Sequence, residues 1–346
     1  MKVLIVTAMY PTPENPAFGS FVRAQVECLR GAGVDVEVLV LGGRWRKLIY
    51  PKGVLQLWRR LIKGGVDVVH AHYSYVGFVG RCQWLKPLVI TYHGSDLLGA
   101  RDQSGALTSI NKITVPAGRL LARFADAVIV QSKQMAALVA KANTHIIPHE
   151  IDFDTFQQTE RNEARAILGL DLSKKYLLFA AKPENGVKNF ALANAAYEAL
   201  HREDPEVELL VVHKETQPRL ALYMSAADAL VFPSLSEGSP NVVKQAMACN
   251  LPIVATDVGD IREVISGTQL CAIADFTVES VAGELRSILA TRGGRSDGRK
   301  RVTRFSCDVV GQQLIELYSD VLAGRRKQVS GASAPAKIEQ PERSNG

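Results

Sequence analysis

With 346 residues, 47% of them hydrophobic and 22% charged, the chain has the make-up of an ordinary soluble globular protein large enough for two cores. Its net charge of +6 is unevenly placed: residues 44–63 carry seven Lys/Arg and no acid, residues 324–346 add +3, and the rest sums to −4. A nucleic-acid binder with charge spread over one face is excluded. No apolar run approaches the roughly 18 residues of a membrane helix, and five scattered cysteines without a CxxC pair point to reduced cytosolic thiols rather than a zinc site or disulfide frame.

In chain order, KVLIVTA lacks a small-residue cleavage site and runs into proline and acid, so it reads as a first strand rather than a leader. In SFVRAQVECLRGAG, Phe21, Val22, Val26 and Leu29 share one helical face and Gly31 stops the helix. The strands VDVEVLVL, VDVVHAH, PLVITYH, ADAVIVQS and HIIP follow, with helical stretches between them. These runs are apolar on both faces, the mark of a parallel sheet covered on either side. In GVLQLWRRLIKGG, Val54, Leu55, Leu57, Trp58, Leu61 and Ile62 keep helical spacing, with Arg59, Arg60 and Lys63 opposite. Such a helix either covers the first sheet or docks on anionic lipid, with Trp45, Arg46, Lys47 and Tyr50 at the interface.

The polar stretch PHEIDFDTFQQTERNEARAILG breaks the rhythm, after which KYLLFAA, VELLVVH, DALVFPS, LPIVATD and QLCAIAD repeat the scheme. Two doubly wound α/β domains are expected, residues 1–155 and 156–305, facing each other across a cleft at the carboxyl ends of their strands. Residues 306–323 form a helix free to cross back onto the first domain, and the Ala/Ser/Pro-rich tail 324–346 reads as disordered.

The densest motif is DALVFPSLSEGSPNVVKQAMACNLPIVATDVGDIREVI. Ser239 suits an N-cap and Pro240 the first helical position, while Gly238 lets a ligand approach the backbone. The open helix end is either a simple capped start or a seat for phosphate. This segment resembles the nucleotide-sugar segment of retaining glycosyltransferases of family 4, which have the GT-B fold of two Rossmann-like domains. The likeness runs over most of the chain and is nearest to bacterial enzymes of cell-surface polysaccharide assembly, including the teichuronic-acid type.

The resemblance implies roles residue by residue. Glu237 would sit against donor-sugar hydroxyls, and backbone amides at Ser239, Asn241 and Val242 would hold the diphosphate. Gln245 stands where the family has a second Glu for the ribose hydroxyls, and an amide lacks the charge that strengthens such bonds. Lys182 and Lys188 stand for the family's cation pair over the diphosphate, with Lys188 the stronger candidate. In PAFGSF, Gly19 is either the close-approach glycine or simply starts a helix; in TYHGSD, His93 would lie near the donor sugar and Asp96 near the acceptor. His70 and His72, at another strand end, are acceptor-side candidates. His149-Glu150 replaces the family's Asn-Gly, so Glu150 must be strained if that glycine needs positive φ.

The implied chemistry is transfer of a sugar from a nucleotide-diphosphate donor to a hydroxyl acceptor, glycan or lipid-linked, with retention. No carboxylate pair of glycosidase type stands out, which suits front-face substitution. No DxD metal motif sits in the right context, so neither metal nor cofactor is expected. The enzyme would work in the cytoplasm, peripherally on the inner face of the membrane. A non-catalytic sugar-nucleotide binder and a GT-B-like epimerase are the alternatives.

Overall fold

The computed structural model describes residues 1–42, 48–99, 107–139, 143–291 and 293–332. Its first lobe is built on β1 (Lys2–Thr7), β2 (Asp35–Val40), β3 (Val68–His72), β4 (Leu88–Thr91), β5 (Ala127–Val130) and β6 (Thr144–Ile146). They form one parallel sheet in the order β2-β1-β3-β4-β5-β6. The second lobe holds β7 (Lys175–Phe179), β8 (Val207–Val211), β9 (Ala229–Phe232), β10 (Ile253–Thr256) and β11 (Cys271–Ala274), parallel in the order β11-β10-β9-β7-β8. Both sheets are doubly wound α/β units, the expected fold class. Apolar runs such as Val3–Val6 vanish completely from solvent because helices cover both sheet faces.

First-lobe helices are α1 (Ser20–Gly31), α2 (Ile49–Ile62), α3 (Ser74–Arg81), α4 (Ser95–Leu98), α5 (Asn111–Leu121) and α6 (Lys133–Val139). Helices α2, α3, α5 and α6 close one sheet face through Leu57, Leu61, Val76, Val79, Leu121 and Met135. The second lobe contributes α7 (Arg161–Leu168), α8 (Phe190–Glu203), α9 (Gln217–Ala226), α10 (Asn241–Ala248), α11 (Ile261–Ile265), α12 (Val278–Ala290) and α13 (Gly298–Val302). Helix α14 (Cys307–Ala332) then lies against α1 on the opposite face of the first sheet, burying Val310, Leu314 and Tyr318 with Val22, Val26 and Leu29.

The change of core falls at His149-Glu150: Ile147 belongs to the first core, Ile151 and Phe156 to the second. The returning passage runs alongside. Ile151 pairs in parallel with Ser306, and its N–H donates to the Phe305 carbonyl at 2.8 Å. Two adjacent crossings thus join the lobes.

Two expectations are corrected. The helix does not end at 323 but continues to Ala332, since GRRKQVSGA contains no proline and its two glycines, Gly324 and Gly331, do not outweigh 26 residues of propagation. Residues 333–346 of the expected disordered tail lie outside the described residues. The cysteines are not all free: Cys28, late in α1, and Cys307, opening α14, form a disulfide with Cα atoms 5.4 Å apart. A separation of 279 residues hid the pair, which exists only once α14 folds back.

The tie should be measurable. Cys28→Ser is expected to lower the unfolding free energy by about 2–4 kcal/mol yet keep the fold, because Val26, Leu314 and Tyr318 still close that face. Peptide mapping without reductant should recover positions 28 and 307 cross-linked; recovery as separate thiols would sink the tie.

Candidate active site between the lobes

The loop after β9 and the loop after β4 meet through glycine. A Cβ on Gly94 would stand 3.7 Å from the Gly238 nitrogen, and one on Gly238 only 2.6 Å from the Met135 sulfur. A side chain on Gly94 would make only ordinary contact, whereas one on Gly238 would have to displace the Met135 side chain of the first lobe, so Gly238 marks where protein meets protein. Beside this contact a cavity of about 360 Å³ is lined by Tyr73, His93, Ser95, Lys188, Glu237 and Gly238, among others. Four of the sequence-derived site residues, His93, Lys188, Glu237 and Gly238, therefore share one wall system although they come from three distant stretches.

Within it, Glu237 Oε1 accepts from Lys188 Nζ at 2.5 Å and from Ser234 Oγ at 2.6 Å. Asn185 caps the short turn that carries Lys188, its side chain accepting from the Val187 N–H, and the ammonium lies over the Phe232 ring. The pair is a preformed, largely buried charge couple. Lys182, by contrast, is exposed, with only a 3.8 Å contact to Glu184, and does not line this cavity.

His93 is held from both sides. Its Nε2 meets His72 Nδ1 at 3.1 Å and its Nδ1 meets His149 Nε2 at 2.9 Å, with the rings stacked. Burial pushes all three imidazoles down, His72 to about 3, so they form a neutral row in which each contact needs one N–H donor and one bare nitrogen. His72 thus positions His93 and does not line the cavity itself. His70, a second acceptor-side candidate, is spent on Tyr318 Oη and Thr91 Oγ1, both at 2.7 Å.

Asp96 is turned inward. Oδ1 accepts from the His93 and Gly94 N–H groups and Oδ2 from the Ser74 N–H, while burial raises its carboxyl to about 6. It shapes the loop that carries His93. Tyr73, which sequence reasoning missed, holds φ 77 at the start of α3 and stacks on His93; a non-glycine residue with positive φ leaves no mark in a single sequence.

The helix end of α10 differs from expectation. Asn241 is its first residue and Pro240 its N-cap, with no side-chain cap, because Ser239 Oγ donates instead to Asp260 Oδ2 at 2.6 Å. The first-turn amides, Asn241 and Val242 among them, still have no intrahelical carbonyl to meet. Asn241 and Gln245 line a second cavity of about 260 Å³ with Phe21, Glu150, Thr155 and Gln217, and Gln245 Nε2 donates to Gln217 Oε1 at 3.0 Å. Gly19 opens α1 at φ 72, where a Cβ would fall 2.5 Å from the Met9 carbonyl. Its collision is with the loop after β1.

The seam residue Glu150 is not at positive φ, so the turn differs from the family's glycine turn and the expected strain is absent. What it carries instead is burial: 6% exposed, with neither carboxylate oxygen bonded to another residue among the described residues. Lys244, fully buried, donates to the His149 carbonyl at 3.2 Å. Desolvation raises the Glu150 carboxyl to about 7 against the opposing pull of its own backbone N–H and Lys244, and lowers the Lys244 ammonium to about 8.

A folded value above the ordinary 4.5 means that the folded state keeps this proton longer, so the contribution of Glu150 to stability is whole below about pH 4.5 and is lost as pH rises through about 7. Glu150→Gln stays neutral and escapes the loss. Denaturant unfolding should show the variant more stable than the parent by about 2 kcal/mol at pH 8 and matched at pH 4.5; the same difference at both pH values would disprove it.

Comparison with known proteins agrees with this arrangement. Residues 2–155 match the family model described as Glycosyltransferase Family 4, and residues 189–291 the model described as Glycosyl transferases group 1. A D-inositol 3-phosphate glycosyltransferase of Xylanimonas cellulosilytica is 26% identical, covering 80% of this chain and 77% of the relative. TuaC of Bacillus subtilis, whose name assigns it to teichuronic acid biosynthesis as a glycosyltransferase, is 25% identical over 82% of this chain and 87% of its own. In fold, the chain superposes on sucrose-phosphate synthase of Thermosynechococcus elongatus with a TM-score of 0.77 at 21% identity, over 94% of this chain and all of the other. HepE of Anabaena, solved with UDP and glucose, gives 0.69 at 16% identity, over 92% and 99%. The chain is a glycosyltransferase with the GT-B fold, its first lobe matching the family 4 model.

Proposed function

We propose that this glycosyltransferase moves a sugar from a nucleoside-diphosphate donor to a hydroxyl acceptor with retention at the anomeric carbon, using the cleft between its lobes. The observation that carries this reading is the 360 Å³ cavity in which Glu237, Lys188 and His93 converge from both lobes beside the open end of α10. The bond from the anomeric carbon to the β-phosphate oxygen breaks, the acceptor oxygen bonds to the same face, and the acceptor proton passes to the departing phosphate. The protein's part is placement and charge. Glu237 faces the sugar hydroxyls; Lys188, with three N–H donors, keeps Glu237 while donating to a phosphate oxygen; and the amides of Asn241 and Val242 take the rest of the diphosphate charge. These groups do what a metal ion would otherwise do. The complex of HepE with UDP and glucose supports such a donor in this fold.

Glu237→Ala should cut transfer by at least about a hundredfold, the scale seen when a single charge-stabilising group is lost, with the melting temperature little changed. Transfer at parental rate, assayed with UDP-, GDP- and ADP-sugars, would remove Glu237 from the site.

The acceptor side of the proposal rests on the outer surface of the first lobe. Among the described residues no helix is long and apolar enough to cross a membrane. Helix α2 covers the first sheet through Leu57 and Leu61, yet Leu55 and Ile62 stand exposed beside Arg59 and Lys63. The neighbouring α3 and α5 expose Phe78, Ile113 and Leu120, and none of the three helices contains an acidic residue. Although Arg60 is paired with Glu37, apolar tips set beside Arg59 and Lys63 on helices without an acidic side chain fit an anionic bilayer, and hence a lipid-linked acceptor on the cytoplasmic face. TuaC's assignment by name to cell-wall polymer synthesis supports the same acceptor class. Tyr50 is half-buried and stacks on Tyr75 rather than facing outward; Trp45, Arg46 and Lys47 lie outside the described residues.

Flotation with phosphatidylglycerol vesicles at low salt should carry the protein up, phosphatidylcholine vesicles should not, and Ile62→Asp with Ile113→Asp should abolish it. Absence of parental flotation on the anionic vesicles would end the membrane reading.

A further inference from the structure

The Glu237 carboxylate is held unevenly. Both of its bonds fall on one oxygen: Oε1 accepts from Lys188 Nζ and from Ser234 Oγ. Oε2 takes no bond from another residue among the described residues and is not shut off from solvent, the side chain keeping 14% of its surface. One oxygen is thus anchored and the other left open, in a residue that lines the 360 Å³ cavity. Ser234 is the uncharged half of that anchor. It is fully buried just past the end of β9, and its carbonyl accepts from Thr256 Oγ1, at the end of β10, at 2.6 Å. Its Oγ stands 2.6 Å from Glu237 Oε1 and 3.0 Å from the Val187 carbonyl oxygen. A hydroxyl has one proton to give, and the carboxylate, ionised and nearer, claims it. The Val187 carbonyl does not depend on that proton, because the Leu235 N–H donates to it at 2.8 Å.

Resting on the donor reading above, we infer that Ser234 is the positioning residue that keeps Glu237 Oε2 turned toward the donor sugar while Lys188 serves the diphosphate. Once a nucleotide is bound, the lysine has two anions to answer. An ammonium drawn toward phosphate loosens its bond to Oε1. A carboxylate held by the lysine alone would then follow it or turn about its last torsion, which has no sharp preferred angle in a glutamate. Ser234 carries no charge and its backbone is tied to β10 through Thr256, so the diphosphate exerts no comparable pull on it. The two bonds on Oε1 therefore divide their work. Lysine is free to shift with the phosphate, and serine holds the carboxylate where it was.

The test measures, by calorimetry on the full chain, the affinities of UDP, GDP and ADP and of UDP-glucose, GDP-mannose and ADP-glucose. It is run on the parent, Ser234→Ala, Glu237→Ala and the double variant. Ser234→Ala should weaken the preferred sugar nucleotide about tenfold, the scale of one bond to an ionised group. Its diphosphate should bind as before, because Leu235 still holds the turn of Lys188 through the Val187 carbonyl; that unaltered binding also shows the variant to be folded. Adding Ser234→Ala to Glu237→Ala should weaken the sugar nucleotide no further, since nothing is left to position. Equal losses for diphosphate and sugar nucleotide, or a loss that multiplies with that of Glu237→Ala, would make Ser234 merely structural and overturn the inference while sparing the donor reading. Unchanged affinities in Ser234→Ala, or a parent that binds diphosphates but none of the sugar nucleotides, overturn it as well. Failure of all three diphosphates to bind the parent would overturn the donor reading and this inference with it.

Discussion

The Lys244 ammonium is the fixed point of the molecule. It sits on α10, fully buried, donates to the His149 carbonyl on the outgoing crossing, and lies 5.0 Å from the centre of the Phe305 ring on the returning one. Phe305 in turn accepts from the Ile151 N–H. One side chain therefore joins the helix that offers its amides to the cleft with both passages between the lobes. A change in lobe angle has to move α10 or break a buried charged hydrogen bond, and breaking it strands an ammonium in apolar surroundings, which costs several kcal/mol. The geometry of the cleft is set more by this strut than by the glycine contact of Gly94 with Gly238, which only permits closeness.

Such a cation has to be balanced, and the balance is incomplete in a telling place. Asp260 and Glu150 both pull the ammonium toward its charged form, but burial outweighs them. Asp260 is partly satisfied through Ser239, whereas Glu150 has no comparable donor from another residue among the described residues. Around it the neutral row His72, His93, His149 and the positive-φ Tyr73 add further local cost. Unfavourable features gathered at the carboxyl ends of the strands around one cleft are the pattern of a site kept for function at the expense of stability.

Much of the fold was legible because parallel strands buried on both faces write themselves as unbroken apolar runs, and all eleven runs read that way became strands. The cleft followed from two doubly wound units, and Glu237, Lys188, Gly238 and His93 followed from motif position. What sequence could not show was which partner a polar side chain would choose. Ser239 suits an N-cap by type, but Asp260, 21 residues away, claims its hydroxyl. Asp96 stands where the resemblance expects an acceptor-side residue, but three N–H groups of its own loop occupy it. Cys28 and Cys307 become neighbours only through α14. Glu150 was visible as an oddity, and only packing shows that it shares a cavity with the other oddity, Gln245.

The first lobe joins its two surfaces through α3. Tyr73, whose positive φ starts that helix, lines the cavity of Glu237 and Lys188, and eight residues on, Arg81 closes it over the exposed Trp84 ring, beside Phe78 on the acid-free face. At about 1.5 Å per residue the whole helix spans about 12 Å, less than half the thickness of a bilayer's hydrocarbon core. With that face on a membrane, an acceptor headgroup anchored in the outermost lipid layer needs to reach only about one short helix's length to meet the anomeric carbon. Water-soluble acceptors would gain nothing from this proximity. On the membrane reading, the short α3, its forced start and its basic, aromatic end share one explanation, a cavity opening close to the surface from which the proposed acceptor would come.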